Sequence, residues 1–115
     1  MIAEGQVVLF RFPQTGQKEG KLRPALVIRR LPGRYDDLLI CMISSRIRQA
    51  IENFDEVVTN EDPDFERSGL KISSVIRISR LAVVERSIFV GTLGEIDPQR
   101  LILIKKRLAD WIRGA

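Results

Sequence analysis

Apolar residues in this chain come in short runs, cut off by glycine, proline, small polar or charged residues before they reach helical length. Only one stretch, near the C-terminus, breaks that rhythm. The cadence constrains the fold more than any other feature. Short apolar runs at close spacing, bounded by turn residues, read as strands of a small barrel or sandwich. Gln6 to Phe12 is the first, ending at Pro13, and Pro13 to Lys21 carries turn residues and reads as a flexible loop. Ala25 to Arg30 is the second strand, followed by a Pro32-Gly33 turn. Leu38 to Ile43 is the third and most apolar, hence central. Ile47 to Asn53 is a connection with room for one helical turn. Phe54 to Thr59 is a short strand, and Asn60 to Arg67 an acidic surface loop. Ser68-Gly69-Leu70-Lys71 is a tight turn in which Gly69 can take positive φ. It leads into a strand from Ile72 to Ile78, with Ile76 and Ile78 on one face and Arg77 and Ser79 on the other. Leu81 to Glu85 and Ser87 to Thr92 read as two further short strands, with Gly94 closing the series.

The C-terminal stretch is different. Asp97-Pro98 supplies a helix cap followed by proline at the first helical position, and Gly114 is placed to end the helix. Leu101, Ile104, Leu108, Trp111 and Ile112 fall on one face, with Arg100, Lys106, Arg107, Asp110 and Arg113 over much of the rest. This is an amphipathic helix of about four turns laid on the barrel. Trp111 and Ile112 are expected to be buried beneath it. The expected architecture is mainly β: five to seven short strands over about residues 5–94, then a helix over about 97–113. A length of 115 residues accommodates one domain, 1–115, with one core.

What is missing narrows the chemistry. The chain has no histidine, which removes His-based acid/base catalysis, His metal sites and a Ser-His-Asp triad together. The lone Cys41 lies inside an apolar run, where a buried small hydrophobe is expected rather than a nucleophile. No apolar run approaches the ~20 residues of a membrane span. The N-terminus has no basic flank like that of a signal peptide, so a cytoplasmic protein without a membrane partner is expected. The formal net charge of +4 fits a nucleic acid or an acidic protein partner.

The candidate site is Arg23-Pro24, at the mouth of the apolar run Leu26-Val27-Ile28. Proline cannot donate to a strand ladder, so it belongs at a strand's first residues or on an edge. Arg23 is thereby placed where a loop hands over to the sheet, and a planar, always-charged fork there suits phosphate or carboxylate. The third strand ends in Ser44-Ser45-Arg46, whose hydroxyls and guanidinium supply donors without bulk.

With these pieces in order the chain resembles the PemK/MazF family of toxins from bacterial toxin–antitoxin pairs. The likeness rests on Gly5-Gln6-Val7-Val8-Leu9, on Gly20-Lys21-Leu22-Arg23-Pro24-Ala25-Leu26-Val27-Ile28 and on Ile43-Ser44-Ser45-Arg46. It continues through Ser68-Gly69-Leu70-Lys71 with Ser73-Ser74-Val75, and a late glycine strand before the helix. The resemblance implies a compact SH3-like β-barrel, a homodimer, and a metal-independent endoribonuclease cutting single-stranded RNA without a cofactor. It also implies a cognate antitoxin that lays an acidic tail over the RNA groove. Arg23 would be catalytic, assisted by Ser44. An acidic residue in the first loop is matched by Glu19, about one residue short of the family spacing. Some relatives carry an acid where this chain has Ser73. Ser45, Arg46, Lys71 and Ser73, with the loop around Thr15 to Lys18, are the residues chosen for RNA binding. Two rival readings remain: a catalytically silent RNA-binding barrel, and a toxin of this fold that poisons DNA gyrase. The second would require an exposed Trp111-Ile112.

Overall fold

The computed structural model describes residues 2–11 and 21–114. Its strands are β1 (Gln6–Arg11), β2 (Leu22–Arg30), β3 (Asp37–Ser44), β4 (Glu56–Val58), β5 (Ser74–Glu85) and β6 (Phe89–Glu95). The helices are α1 (Phe65–Ser68) and α2 (Pro98–Arg113). The described residues form one six-stranded antiparallel sheet in the order β4-β5-β3-β2-β1-β6, with β3 and β2 at its centre as the apolar runs require.

The sheet curls. β5 and β6 lie four strand spacings apart, roughly 19 Å if flat. Yet only a 3-10 turn, Arg86–Ile88, joins them, and so short a segment reaches at most ~14 Å. Curling gives each face its own core. On one side, Val7, Leu26, Ile28, Cys41, Ile43, Ile76 and Ile78 pack with Ile104 and Leu108 of α2. On the other, Val8, Phe10, Ala25, Val27, Leu38 and Ile40 pack together. Alternation along β1 and β2 thus places successive residues in different cores.

The barrel-like, mainly β fold with a terminal helix is as expected, but the strands do not close into a ring: β4 and β6 are both edges. Against β6 stands α1. Its carboxy-terminal backbone presses so closely on β6 that a Cβ on Gly94 would overlap the carbonyl of Arg67 and lie 2.7 Å from the Ser68 carbonyl carbon. Gly69 caps α1 in the left-handed region at φ 75, the conformation its position in the turn called for.

Three other expectations are corrected. Leu81–Glu85 is the second half of β5 rather than a separate strand. The 60–67 segment is not simply a surface loop, because it holds α1 and the buried Asp64. Arg100 accounts for this. Its guanidinium bonds Asp64 at 2.9 and 3.0 Å, Glu56 at 2.9 Å and Asp62 at 3.0 Å, binding the segment to α2 and β4. Trp111 and Ile112 are 63% and 67% exposed rather than buried. α2 outruns the sheet after Leu108, and the Trp111 ring meets that of Phe54 at 6.3 Å between centroids. The helix start is as read: Asp97 accepts from the Gln99 amide at 2.8 Å, and Pro98 follows. No helix among the described residues is long and apolar enough to cross a membrane.

Candidate functional site

The site begins with a break in the sheet. β2 and β3 pair at Ala25↔Met42, Leu26↔Cys41 and Val27↔Ile40, and continuing that register sets Arg23 opposite Ser44. The ladder stops first, because Pro24 has no amide to donate. On its other side β2 still pairs with β1, at Pro24↔Leu9 and Arg23↔Phe10. Ser44 pairs with Val75 of β5. Pro24 is therefore among the first residues of a central strand, one of the two places expected for it, and not on an edge; the ladder opens beside it.

Arg23, Pro24, Ile43 and Ser44 form the saddle of the resulting cleft, between two depressions of about 410 and 460 Å³. The first also takes in Ser45, Arg46, Gly69 and Lys71, and the second Gln49, Arg77 and Arg80. Among the described residues five cations and no carboxylate line the pair. A groove of one sign with low-dielectric walls concentrates anions.

Ser44 is oriented by its own turn, its Oγ accepting the Arg46 amide at 3.1 Å. A hydroxyl that accepts there retains its proton to donate elsewhere. Arg23, Ser44, Ser45, Arg46 and Lys71 are thus brought together. Ser73 is not, since its Oγ accepts the Asn60 amide at 2.9 Å and lies outside both depressions. Thr15, Lys18 and Glu19 lie outside the described residues.

Arg77, Arg80 and Gln49 were not chosen from the sequence. Arg77 donates from Nη1 to Gln49 Oε1 at 3.1 Å, while its Nε is buried with no partner among the described residues. A buried donor without an acceptor costs stability unless a ligand supplies one. Alternation already set Arg77 apart from Ile76 and Ile78, and that signal was available. Arg80 carried none, because its position depends on a bulge. From Cys41↔Leu81 to Met42↔Arg77, one step along β3 spans four along β5, so Ile78, Ser79 and Arg80 are extra. Bulges of this kind re-aim side chains beside functional sites.

Cys41 is fully buried, and desolvation, aided by the nearby Asp55 charge, pushes its thiol far up, so it is inert as a nucleophile. Among the described residues no group of three or more Cys, Asp or Glu is arranged to hold a metal ion.

A sequence model of the PemK-like, MazF-like toxins of type II toxin–antitoxin systems matches residues 3–112. No curated protein sequence matches the chain. Similar solved structures include an endoribonuclease in complex with its cognate antitoxin from a mycobacterial species. It has TM-score 0.65 and 14% identity, over 98% of this chain and 96% of that one. MazF from Deinococcus radiodurans gives TM-score 0.63 and 21% identity, over 97% and 96%. At these identities the structural likenesses speak for the fold.

Proposed function

Because the chain belongs to the PemK-like, MazF-like toxin family of type II toxin–antitoxin systems, we propose that it is an endoribonuclease toxin cleaving single-stranded RNA without a metal ion. The observation that carries this reading is that Arg23 and Ser44, at the facing ends of β2 and β3 where the ladder opens, share the saddle of a cleft with cations and no acid among its described residues.

Metal-free cleavage uses the 2′-hydroxyl as nucleophile, so RNA is cut and DNA is not. The attacking oxygen must lose a proton, charge must be stabilised on the phosphorane, and the leaving 5′-oxygen must gain a proton. Arg23 takes the second task, its planar fork matching two phosphate oxygens. It remains charged throughout, so it is a stabiliser rather than a proton carrier. Ser44 donates its free O–H to a non-bridging oxygen. Losing one such donor costs roughly a hundredfold or more in rate. Arg46 and Lys71 hold flanking phosphates on one side, and Arg77 and Arg80 on the other. Ser45 adds a hydroxyl to this RNA contact. Thr15 and Lys18 extend it, and Glu19 is the base. The acidic tail of a cognate antitoxin competes for the same cationic groove, and the toxin acts as a homodimer in the cytoplasm.

The test is incubation of a defined RNA with wild type and Arg23→Ala in EDTA, with analysis of the new ends. Fragments ending in cyclic phosphate from wild type, at least a hundredfold fewer from Arg23→Ala, and an intact all-deoxy control are expected. Equal cleavage by folded Arg23→Ala, or cleavage only with added divalent ions, refutes the mechanism. Salt-sensitive RNA binding with no cleavage would instead identify a silent binding barrel. A second reading draws on the exposed Trp111 and Ile112, the feature that a gyrase-poisoning toxin of this fold requires. Inhibition of DNA supercoiling that Trp111→Ala abolishes and Arg23→Ala leaves intact would establish it.

A further inference from the structure

Asp55 is 6% exposed, yet it makes no ion pair among the described residues. Its carboxylate is committed to two segments. Oδ2 accepts the Ile51 amide at 2.9 Å and the Ser79 hydroxyl at 3.1 Å, while Oδ1 accepts the Ser79 amide at 3.0 Å. Ile51 lies two residues past Gln49, the partner of Arg77, in the same connection. Ser79 is the middle residue of the β5 bulge, directly before Arg80 and one residue removed from Arg77. From behind, Arg107 of α2 donates to the Asp55 carbonyl at 3.1 Å.

We propose that Asp55 is a positioning residue for substrate binding: it clamps the β5 bulge to the segment after β3, aiming Arg77 and Arg80 jointly at one RNA phosphate beside the Arg23 contact. This rests on the ribonuclease reading of the cleft. Bulged residues have no ladder partners of their own to fix them, so their direction is set by whatever holds the loop. Only a carboxylate offers acceptors on both oxygens. Asparagine has one, and cannot serve the Ile51 and Ser79 amides at once. With the clamp loosened, Arg77 loses the Gln49 contact and Arg80 swings with the bulge, while the β4 strand and α2 keep their own bonds.

The experiment compares wild type, Asp55→Asn, Ser79→Ala and Arg100→Met, the last as a control for plain loss of stability away from the cleft. Two readouts are used. The Nε–Hε resonances of Arg77 and Arg80 are followed by NMR during titration with inorganic phosphate. Binding of a short 2′-O-methyl RNA, which lacks the nucleophile, is measured across a salt series. Phosphate should shift both resonances in wild type and Arg100→Met, and neither in Asp55→Asn. The salt slope of Asp55→Asn should fall by about 0.7 for each lost phosphate contact. Its affinity should drop about tenfold. Ser79→Ala, which keeps the amide bond, should fall between. A wild-type slope and wild-type phosphate shifts in Asp55→Asn overturn the proposal. If Asp55→Asn does not fold, the same result in Ser79→Ala overturns it. The two readings fail separately. Wild type that cuts no RNA yet shows phosphate shifts abolished by Asp55→Asn ends the nuclease reading and leaves the clamp. Cleavage with unchanged kcat and KM in Asp55→Asn ends the clamp and leaves the nuclease.

Discussion

Arg100→Met should lower the melting temperature at neutral pH by about 12 °C. The Arg100 side chain is 13% exposed and Asp64 only 4% exposed, so this ion pair is largely desolvated. Removing one partner of such a pair costs about 3–5 kcal/mol, because the other charge is left buried. The geometry selects the lower end. Glu56 keeps Arg107 at 3.2 Å, and Asp62 keeps the Thr59 amide at 2.9 Å. Only Asp64 is stripped, retaining the Asp97 amide at 2.9 Å. Across 115 residues, unfolding entropy near 2.1 cal/mol/K per residue sums to about 0.24 kcal/mol/K, so about 3 kcal/mol corresponds to about 12 °C. The effect carries a pH signature. Burial alone would raise the Asp64 carboxyl, but the bonds from Arg100 and the Asp97 amide outweigh it and hold it below the usual carboxylate range. The Thr59 amide chiefly, with help from Arg100, does the same for Asp62. Carboxyls lowered by folding stabilise fully above their unfolded values, and the contribution is lost as pH falls through the lower folded values. The gap between wild type and Arg100→Met should therefore be widest near neutrality and shrink in acid. Thermal unfolding followed by circular dichroism at stepped pH measures both. Asp64→Asn added to Arg100→Met should recover part of the loss by removing the stranded charge. A melting temperature within about 3 °C of wild type, a gap independent of pH, or no recovery in the double variant would refute the buried-charge argument.

Two further outcomes follow from packing. Gly94→Ala should destabilise the fold by about 3 kcal/mol, read as a lower urea midpoint with little change in slope, since the new methyl meets the rigid backbone of Arg67 and Ser68; a midpoint at the wild-type value would show that α1 moves aside easily. Trp111 should be quenched by acrylamide almost as readily as a free indole, and Trp111→Ala should cost no more than about 1 kcal/mol. Strong shielding would mean that the helix end is covered in solution.

Much of the fold was legible because it is written locally. Asp97-Pro98 and Gly114 mark the ends of α2 through groups that bond within a few residues of themselves. The short apolar runs through Val7, Val8 and Phe10, and through Leu26, Val27 and Ile28, specify strands whatever they pair with. The same holds for part of the site. Arg23 beside a proline and Ser44 at a strand end mark where a strand begins and another stops, and the cleft lies between those ends. The apolar spacing of α2 misled at its end, because a helical stripe reports which face is apolar and not how far the sheet beneath it extends; Trp111 and Ile112 lie past that limit.

By itself, then, the sequence determined the class of the fold, the run of strands, the capped helix and the strand-end positions of Arg23 and Ser44, all of which rest on interactions between near neighbours or on a single missing amide. Only the tertiary structure decided that Arg77 and Arg80 join the cleft and that Asp55 grips the bulge presenting them. It also decided that Arg100 gathers Glu56, Asp62 and Asp64 around one charge. These depend on residues tens of positions apart meeting across strands, and no local propensity or period encodes such a meeting.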